Sequence, residues 1–309
     1  MKVNFNMDRR HSLKKPIAVA LGAFDGLHIG HQILCQQLKL IKKSTGCSTM
    51  VYTFLDNPLE FLSPDKSPTR ITTASERIFK FREIGIDHLI LNPFDRQLAS
   101  MTPEDFITDV LLKNYNIKFI VVGYDFRFGI EGRGDTDLLN KMGLKLGFDV
   151  IVVPPVSLGD KIISSSLIRE LIKNGIMGEV STYLGSPYSI SGKIVRGFGR
   201  GKKLGFPTAN LEFNKGKVIP QFGIYLTKVK KDNAYYWGLT NVGINPTFNK
   251  KGLFVETYIL DYDDDIYGDR IKVEFLKRIR GEERFSNIED LKRQIAKDVQ
   301  WAKNYIYKF

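Results

Sequence analysis

Between residues 17 and 174, short and almost unbroken apolar runs alternate with stretches of helical periodicity; after Gly185-Ser186-Pro187 the alternation stops. The apolar runs are residues 17–24, 48–54, 88–91, 117–123 and 148–153, and the helical stretches are 30–43, 72–84, 103–115, 135–146 and 165–174. Strands that are apolar on both faces belong in a parallel sheet covered by helices on each side. Residues 1–186 therefore read as a doubly wound, Rossmann-like α/β domain, with its chemistry in the turns that follow the strands. Beyond Pro187 come β-branched and aromatic runs broken by Gly, Asn and Pro, at 188–196, 223–230, 234–242, 253–260 and 270–275. That pattern predicts a small antiparallel β-barrel over residues 187–309. A helix closes the chain, with Ser286 and Glu289 in capping-box spacing and Ile288, Leu291, Ile295 and Ala302 spaced for one buried face.

The chain has 309 residues, which fits two domains. No apolar run is long enough to cross a membrane, and the polar, basic first 16 residues do not resemble a signal peptide. Two cysteines, Cys35 and Cys47, are too few for a disulfide scaffold or a zinc site. A soluble, cytoplasmic protein is the expectation. The net charge of +12 is uneven: +3 over residues 1–186 and +9 over 187–309. Such an excess suits anionic partners. The basic residues sit in a glycine loop without a repeated aromatic–basic stacking pattern, so small phosphorylated substrates are expected, with no nucleic acid and no membrane partner. The sequence specifies no oligomeric state.

The first strand runs into Gly22-Ala23-Phe24-Asp25-Gly26-Leu27-His28-Ile29-Gly30-His31. A helix starting near Gly30 offers its amides and dipole to an anion. His28 and His31, three apart, present two imidazoles to the same phosphate. One histidine at a helix start would more often decorate a surface. Two of the chain's four histidines in one glycine-rich turn favour a site. In Ile163-Ser164-Ser165-Ser166-Leu167-Ile168-Arg169, Ser164 or Ser165 can cap the next helix, or the hydroxyls and Arg169 can face the same phosphates.

Residues 197–210 place four glycines with Arg200, Lys202 and Lys203 in one loop, ahead of Pro207, Thr208 and Asn210. This is phosphate-binding chemistry without the spacing of a P-loop, although an exposed basic hairpin would look the same. Thr208 and Asn210, alternating in an extended segment, turn hard oxygen ligands suited to Mg²⁺ to one side. Glu256 shares a strand face with Phe254, Tyr258 and Leu260, where a carboxylate is either an edge residue looking at solvent or a base for a hydroxyl proton.

Taken together these segments resemble the bacterial bifunctional riboflavin kinase/FAD synthetases. The likeness extends through Thr53-Phe54-Leu55-Asp56-Asn57-Pro58, Val122 to Gly129, Tyr183 to Tyr188, Gly205 to Asn210, Asn241 to Phe248 and Arg278 to Glu283, in order. It implies a nucleotidyltransferase domain that adenylylates FMN to FAD, releasing pyrophosphate, and a six-stranded barrel that phosphorylates riboflavin to FMN. ATP and Mg²⁺ are the implied cofactors. By the resemblance, His28, His31 and Arg169 are catalytic in the first domain and Glu256 in the second. Gly22, Phe24, Asp25, Gly30, Ser164 and Ser165 bind ATP in one domain, and Gly199, Lys203, Gly205 and Pro207 in the other. Asn57, Asp125, Asn241 and Arg280 lie on the flavin side, and Thr208 and Asn210 hold the metal. Asn57 stands where many members carry His, and this departure is the ground for a second reading, a riboflavin kinase whose N-terminal transferase is weakened or altered.

Overall fold

The structure is a computed structural model and describes residues 1–5, 13–197, 201, 204–245 and 252–308. It consists of two compact units, Met1–Ser165 and Ser166–Phe309. The first holds a parallel six-stranded sheet in the order β1-β4-β3-β2-β5-β6. The strands are β1 (Lys2–Asn4), β2 (Leu13–Leu21), β3 (Ser48–Phe54), β4 (His88–Asn92), β5 (Tyr115–Gly123) and β6 (Asp149–Val153).

Successive residues of each strand feed opposite cores. Ile17, Val19, Met50 and Tyr52 join one cluster, which Phe106, Ile107, Val110 and Leu139 complete. Ala18, Ala20 and Val51 join the other, with Leu34, Cys35 and Leu38 of helix α1 (Ile29–Thr45). Both cysteines are free and buried. On leaving β2 the chain passes to β3 and β4 on one side and returns to β5 and β6 on the other. The strand order therefore reverses at β2, and the crevice beyond its carboxyl end is where ligands bind in such sheets.

Around that end lie α2 (Pro58–Leu62) after β3 and α3 (Ala74–Ile84) before β4. The stretch expected as one helix over 103–115 instead continues as a π-helical segment, Phe106–Leu112, and Tyr115 already opens β5. After β6 a small hairpin, β7 (Ser157–Leu158) with β8 (Lys161–Ile162), leads into α7 (Ser165–Lys173) and α8 (Met177–Leu184). The intervening helical pieces are α4 (Arg96–Ala99), α5 (Pro103–Asp105) and α6 (Thr136–Leu146). The change of sequence pattern falls at Pro187, whereas the compact units divide at Ser165, because α8 packs on barrel strands.

The second unit is a closed antiparallel barrel in the order β10-β13-β12-β11-β14-β9. Its strands are β9 (Tyr188–Val195), β10 (Thr208–Phe213), β11 (Gly223–Lys231), β12 (Ala234–Asn245), β13 (Gly252–Ile259) and β14 (Arg270–Arg280). Closure removes the sheet edges that would otherwise pair with another chain. The buried hydroxyls of Thr227, Thr240 and Thr257 inside it satisfy one another at 2.9 Å. The C-terminal helix, Ile288–Ile306, is capped by Asn287, whose side chain accepts from Asp290 N at 2.8 Å, not by Ser286. Asn serves as well as Ser at that position, and it starts the helix one residue later. Ile288, in the first turn, is 65% exposed and does not join the buried face that Ala302 occupies.

Candidate active sites

β2 ends in a turn with three left-handed residues, Phe24 (φ 51°), Gly26 (φ 85°) and Leu27 (φ 46°). Side chains disfavour that conformation, and such strain persists where surrounding contacts over-determine it. The contacts are present here. The Asp25 carboxylate accepts from the backbone N–H of Ile71 and Thr72 at 2.9–3.0 Å and from the Thr72 hydroxyl at 3.1 Å. Thr72 Oγ1 in turn accepts from Gly26 N at 2.8 Å. Asp25, placed by sequence among the ATP ligands, thus directs its carboxylate at protein backbone and holds the turn. The Phe24 ring is fully buried against Phe81 and His31. A Cβ at Gly22 would stand 3.2 Å from that ring, which accounts for glycine there.

His28 caps α1, its Nδ1 accepting from His31 N at 3.4 Å, which leaves Nε2 as the proton-bearing nitrogen of the neutral ring. The two imidazoles stack with centroids 3.7 Å apart. A Cβ at Gly30 would lie 3.1 Å from the His28 ring. Burial, and then the proximity of His28, hold the His31 pKa well below the ordinary imidazole value. His31 Nδ1 is buried and has no hydrogen-bond partner among the described residues. Ser165, the first residue of α7, donates its hydroxyl to Asp25 O at 2.9 Å, so the serine segment reaches the histidine turn from 140 residues away. Ser164 precedes it, half-buried, and Arg169 lies one turn further along α7.

A cleft opens beside the turn, lined among others by Ala23, Asp25, Asn57, Arg70, Thr72 and Arg77. Asn57 caps α2, its Oδ1 accepting from Leu59 N at 3.0 Å. Next to it Phe54, Phe61 and Phe94 meet edge to face at 5.2–6.0 Å. Asp125 is exposed in the turn after β5, the strand on the other side of β2. Arg77 and Thr72 were not singled out from sequence. Arg77 is a charge on the buried stripe of α3, four residues before Phe81, and that spacing is visible in the sequence. Thr72 meets Asp25 only through the fold.

In the barrel, Asn210 of β10 pairs in register with Glu256 of β13, and Glu256 with Asn241 of β12. Directly opposed residues point to the same face. Asn210, Glu256 and Asn241 therefore form one row across three strands, and Thr208 stands two residues along. All four are half-buried, whereas Ala209, Val255, Thr257 and Val242 on the opposite face fill the barrel interior. Asn241 Oδ1 is buried and has no hydrogen-bond partner among the described residues. A Cβ at Gly197 would collide with the Asn210 side chain, and one at Gly201 would come within 3.0 Å of Thr208 Oγ1. Gly205 is left-handed at φ 85°, and Pro207 leads directly into β10. Gly199 and Lys203 lie outside the described residues. The Arg280 guanidinium grips Asp298 of the C-terminal helix through Nε and Nη2 at 2.8–3.1 Å, which makes it an anchor for that helix.

The FAD synthetase family model matches residues 10–167, and the riboflavin kinase model matches residues 184–306. The "Bifunctional riboflavin kinase/FMN adenylyltransferase" of Buchnera aphidicola subsp. Acyrthosiphon pisum is 34% identical over 99% of this chain and 98% of its own length. The chain belongs to the bifunctional riboflavin kinase/FMN adenylyltransferase family. The Escherichia coli relative of the same name is 36% identical, covering 93% of this chain and 92% of its own. Among solved structures, one titled as a macrolide-efflux protein from Streptococcus pneumoniae superposes with a TM-score of 0.89 at 31% identity, over 98% of both chains. No helix among the described residues is long and apolar enough to cross a membrane. The chain carries both halves of the family, so the kinase-only reading built on Asn57 is not favoured.

Proposed function

We propose that this chain makes FAD from riboflavin in two ATP-dependent steps, one in each unit. In the barrel the Glu256 carboxylate takes the proton of the ribityl 5′-hydroxyl as its oxygen attacks the γ-phosphorus of ATP, leaving FMN and ADP. The observation that carries this assignment is the row Asn210–Glu256–Asn241, which sets a base between two amide side chains on one half-buried face. Bound Mg²⁺ would neutralise phosphate charge. Thr208 and Asn210 are the hard donors for it, beside the gaps left by Gly197 and Gly201.

In the α/β unit an FMN phosphate oxygen attacks the α-phosphorus of ATP and pyrophosphate leaves. The nucleophile is already an anion, so the protein's work is positioning and charge neutralisation. The helix-start amides, His28, His31, Ser164, Ser165 and Arg169 would hold the phosphates. The aromatic wall of Phe54, Phe61 and Phe94 beside Asn57, with Asp125 across β2, would take the flavin. The two buried free thiols and the use of ATP favour the cytoplasm. Chromatography of riboflavin, ATP and MgCl₂ with two variants tests the scheme. His28→Ala should accumulate FMN and stop there. Glu256→Gln should leave riboflavin untouched yet convert added FMN to FAD. Loss of both steps in either variant would count against separate sites.

A further inference from the structure

α3 sends Arg77 back toward the ends of two adjacent strands. β2 and β3 pair last at Leu21 and Tyr52; beyond that point β2 becomes the histidine turn, while β3 runs on beside β4 to Phe54 before the Asn57 turn. Main-chain carbonyls past the end of a parallel ladder have no ladder partner, and here one guanidinium collects three of them. Arg77 Nη1 donates to Phe54 O at 2.8 Å and to Ala23 O at 3.4 Å, and Nη2 donates to Leu55 O at 2.6 Å. Thr53 Oγ1 donates to the same Ala23 carbonyl at 3.0 Å. Arg77 is 5% exposed, no carboxylate hydrogen-bonds to it among the described residues, and its Nε has no partner there. Its own backbone is fixed by the first turn of α3, where Thr73 and Glu76 cap each other reciprocally.

A buried guanidinium with no hydrogen-bonded carboxylate is costly even with Asp25, Asp56 and Glu60 near enough to favour its charge, and nothing about stability alone requires one at this spot. A planar fork, however, is the one side chain that can hold three carbonyls from two diverging turns in a fixed relation. We propose that Arg77 is a positioning residue of the adenylyl-transfer site: it sets the separation of the His28 turn from the Asn57 turn, and hence of nucleotide phosphates from flavin. The proposal rests on the reaction assigned above to this unit. Arg77 also lines the cleft, so its charge lies under the place where anionic groups would enter. Anchoring and charge are separable, because lysine keeps the charge and loses the fork.

The experiment compares Arg77→Lys and Arg77→Met in the full chain, well below the unfolding temperature, with a wild-type circular dichroism spectrum and melting curve as the measure of folded protein and riboflavin phosphorylation in the barrel as an internal measure of concentration. Anchoring predicts that both variants lose about 100-fold in kcat for FMN adenylylation, the scale of an ångström-size misplacement. KM for ATP should change little, and riboflavin phosphorylation should be unchanged. Arg77→Lys behaving as wild type would overturn the anchoring role. A second readout is independent of turnover: the imidazole NMR resonances of His28 and His31 should shift in both variants. Resonances that stay in place, in a folded variant, would equally overturn it. If the wild-type chain forms no FAD from FMN, the functional reading fails, and the imidazole shifts still decide whether Arg77 sets the turn.

Discussion

Imidazoles stacked at 3.7 Å, as His28 and His31 are, cannot both be protonated without repulsion, and His31 is the one that burial disfavours as a cation. At neutral pH His31 is therefore a neutral hydrogen-bonding group. The shift has a sign that can be tested. With its folded-state pKa below the reference 6.5, His31 in the native chain refuses a proton that the unfolded chain accepts. Its contribution to stability is complete above that value and is lost as pH falls below it, toward the depressed native pKa. Denaturant midpoints of the wild type should thus drop more steeply between neutral pH and pH 5 than those of His31→Gln. Parallel curves would mean that His31 titrates as if exposed.

At the level of elements, the Arg280–Asp298 pair joins the last barrel strand to the C-terminal helix, with side chains 15% and 6% exposed. Gln294 adds a hydrogen bond to Asp298 at 3.0 Å. Removing one partner leaves the other charge buried alone, so Asp298→Ala should cost about 3 kcal/mol and expose the helix to protease first; an unchanged unfolding midpoint would contradict the anchor. Asp298 was legible in principle. It falls between Ile295 and Ala302 on the apolar stripe, as Arg77 falls four residues before Phe81, and an ionic residue on such a stripe signals a buried pair or a buried role. Where local periodicity decides, the match is close, as for β3 at Ser48–Phe54. The fold class and the Glu256 face followed from the same periodicity. The row joining Glu256 to Asn210 and Asn241 did not, because register depends on pairing across the barrel. The Asp25–Thr72 tie and the Ser165–Asp25 bond escaped for the same reason, being non-local contacts that no local pattern encodes.

For the whole molecule, what matters is that no residue proposed for one reaction is also proposed for the other. The barrel row draws only on β10, β12 and β13, while the histidine turn, its Thr72 anchor and the Arg77 clasp all lie within the first 165 residues. FMN is the product of one chemistry and the substrate of the other, and nothing in either set of residues requires both steps to occur on one chain. Two chains, each disabled at a different site, should therefore complement each other. His28→Ala mixed with Glu256→Gln, given riboflavin and ATP, should form FAD after a lag during which free FMN accumulates, and the lag should shorten as the Glu256→Gln partner is increased. A mixture that makes FMN but no FAD, from variants that each retain their own step, would mean that FMN passes between sites without release. The unequal charge of the two halves would then have a role in retaining a dianionic intermediate, a role that independent sites do not need.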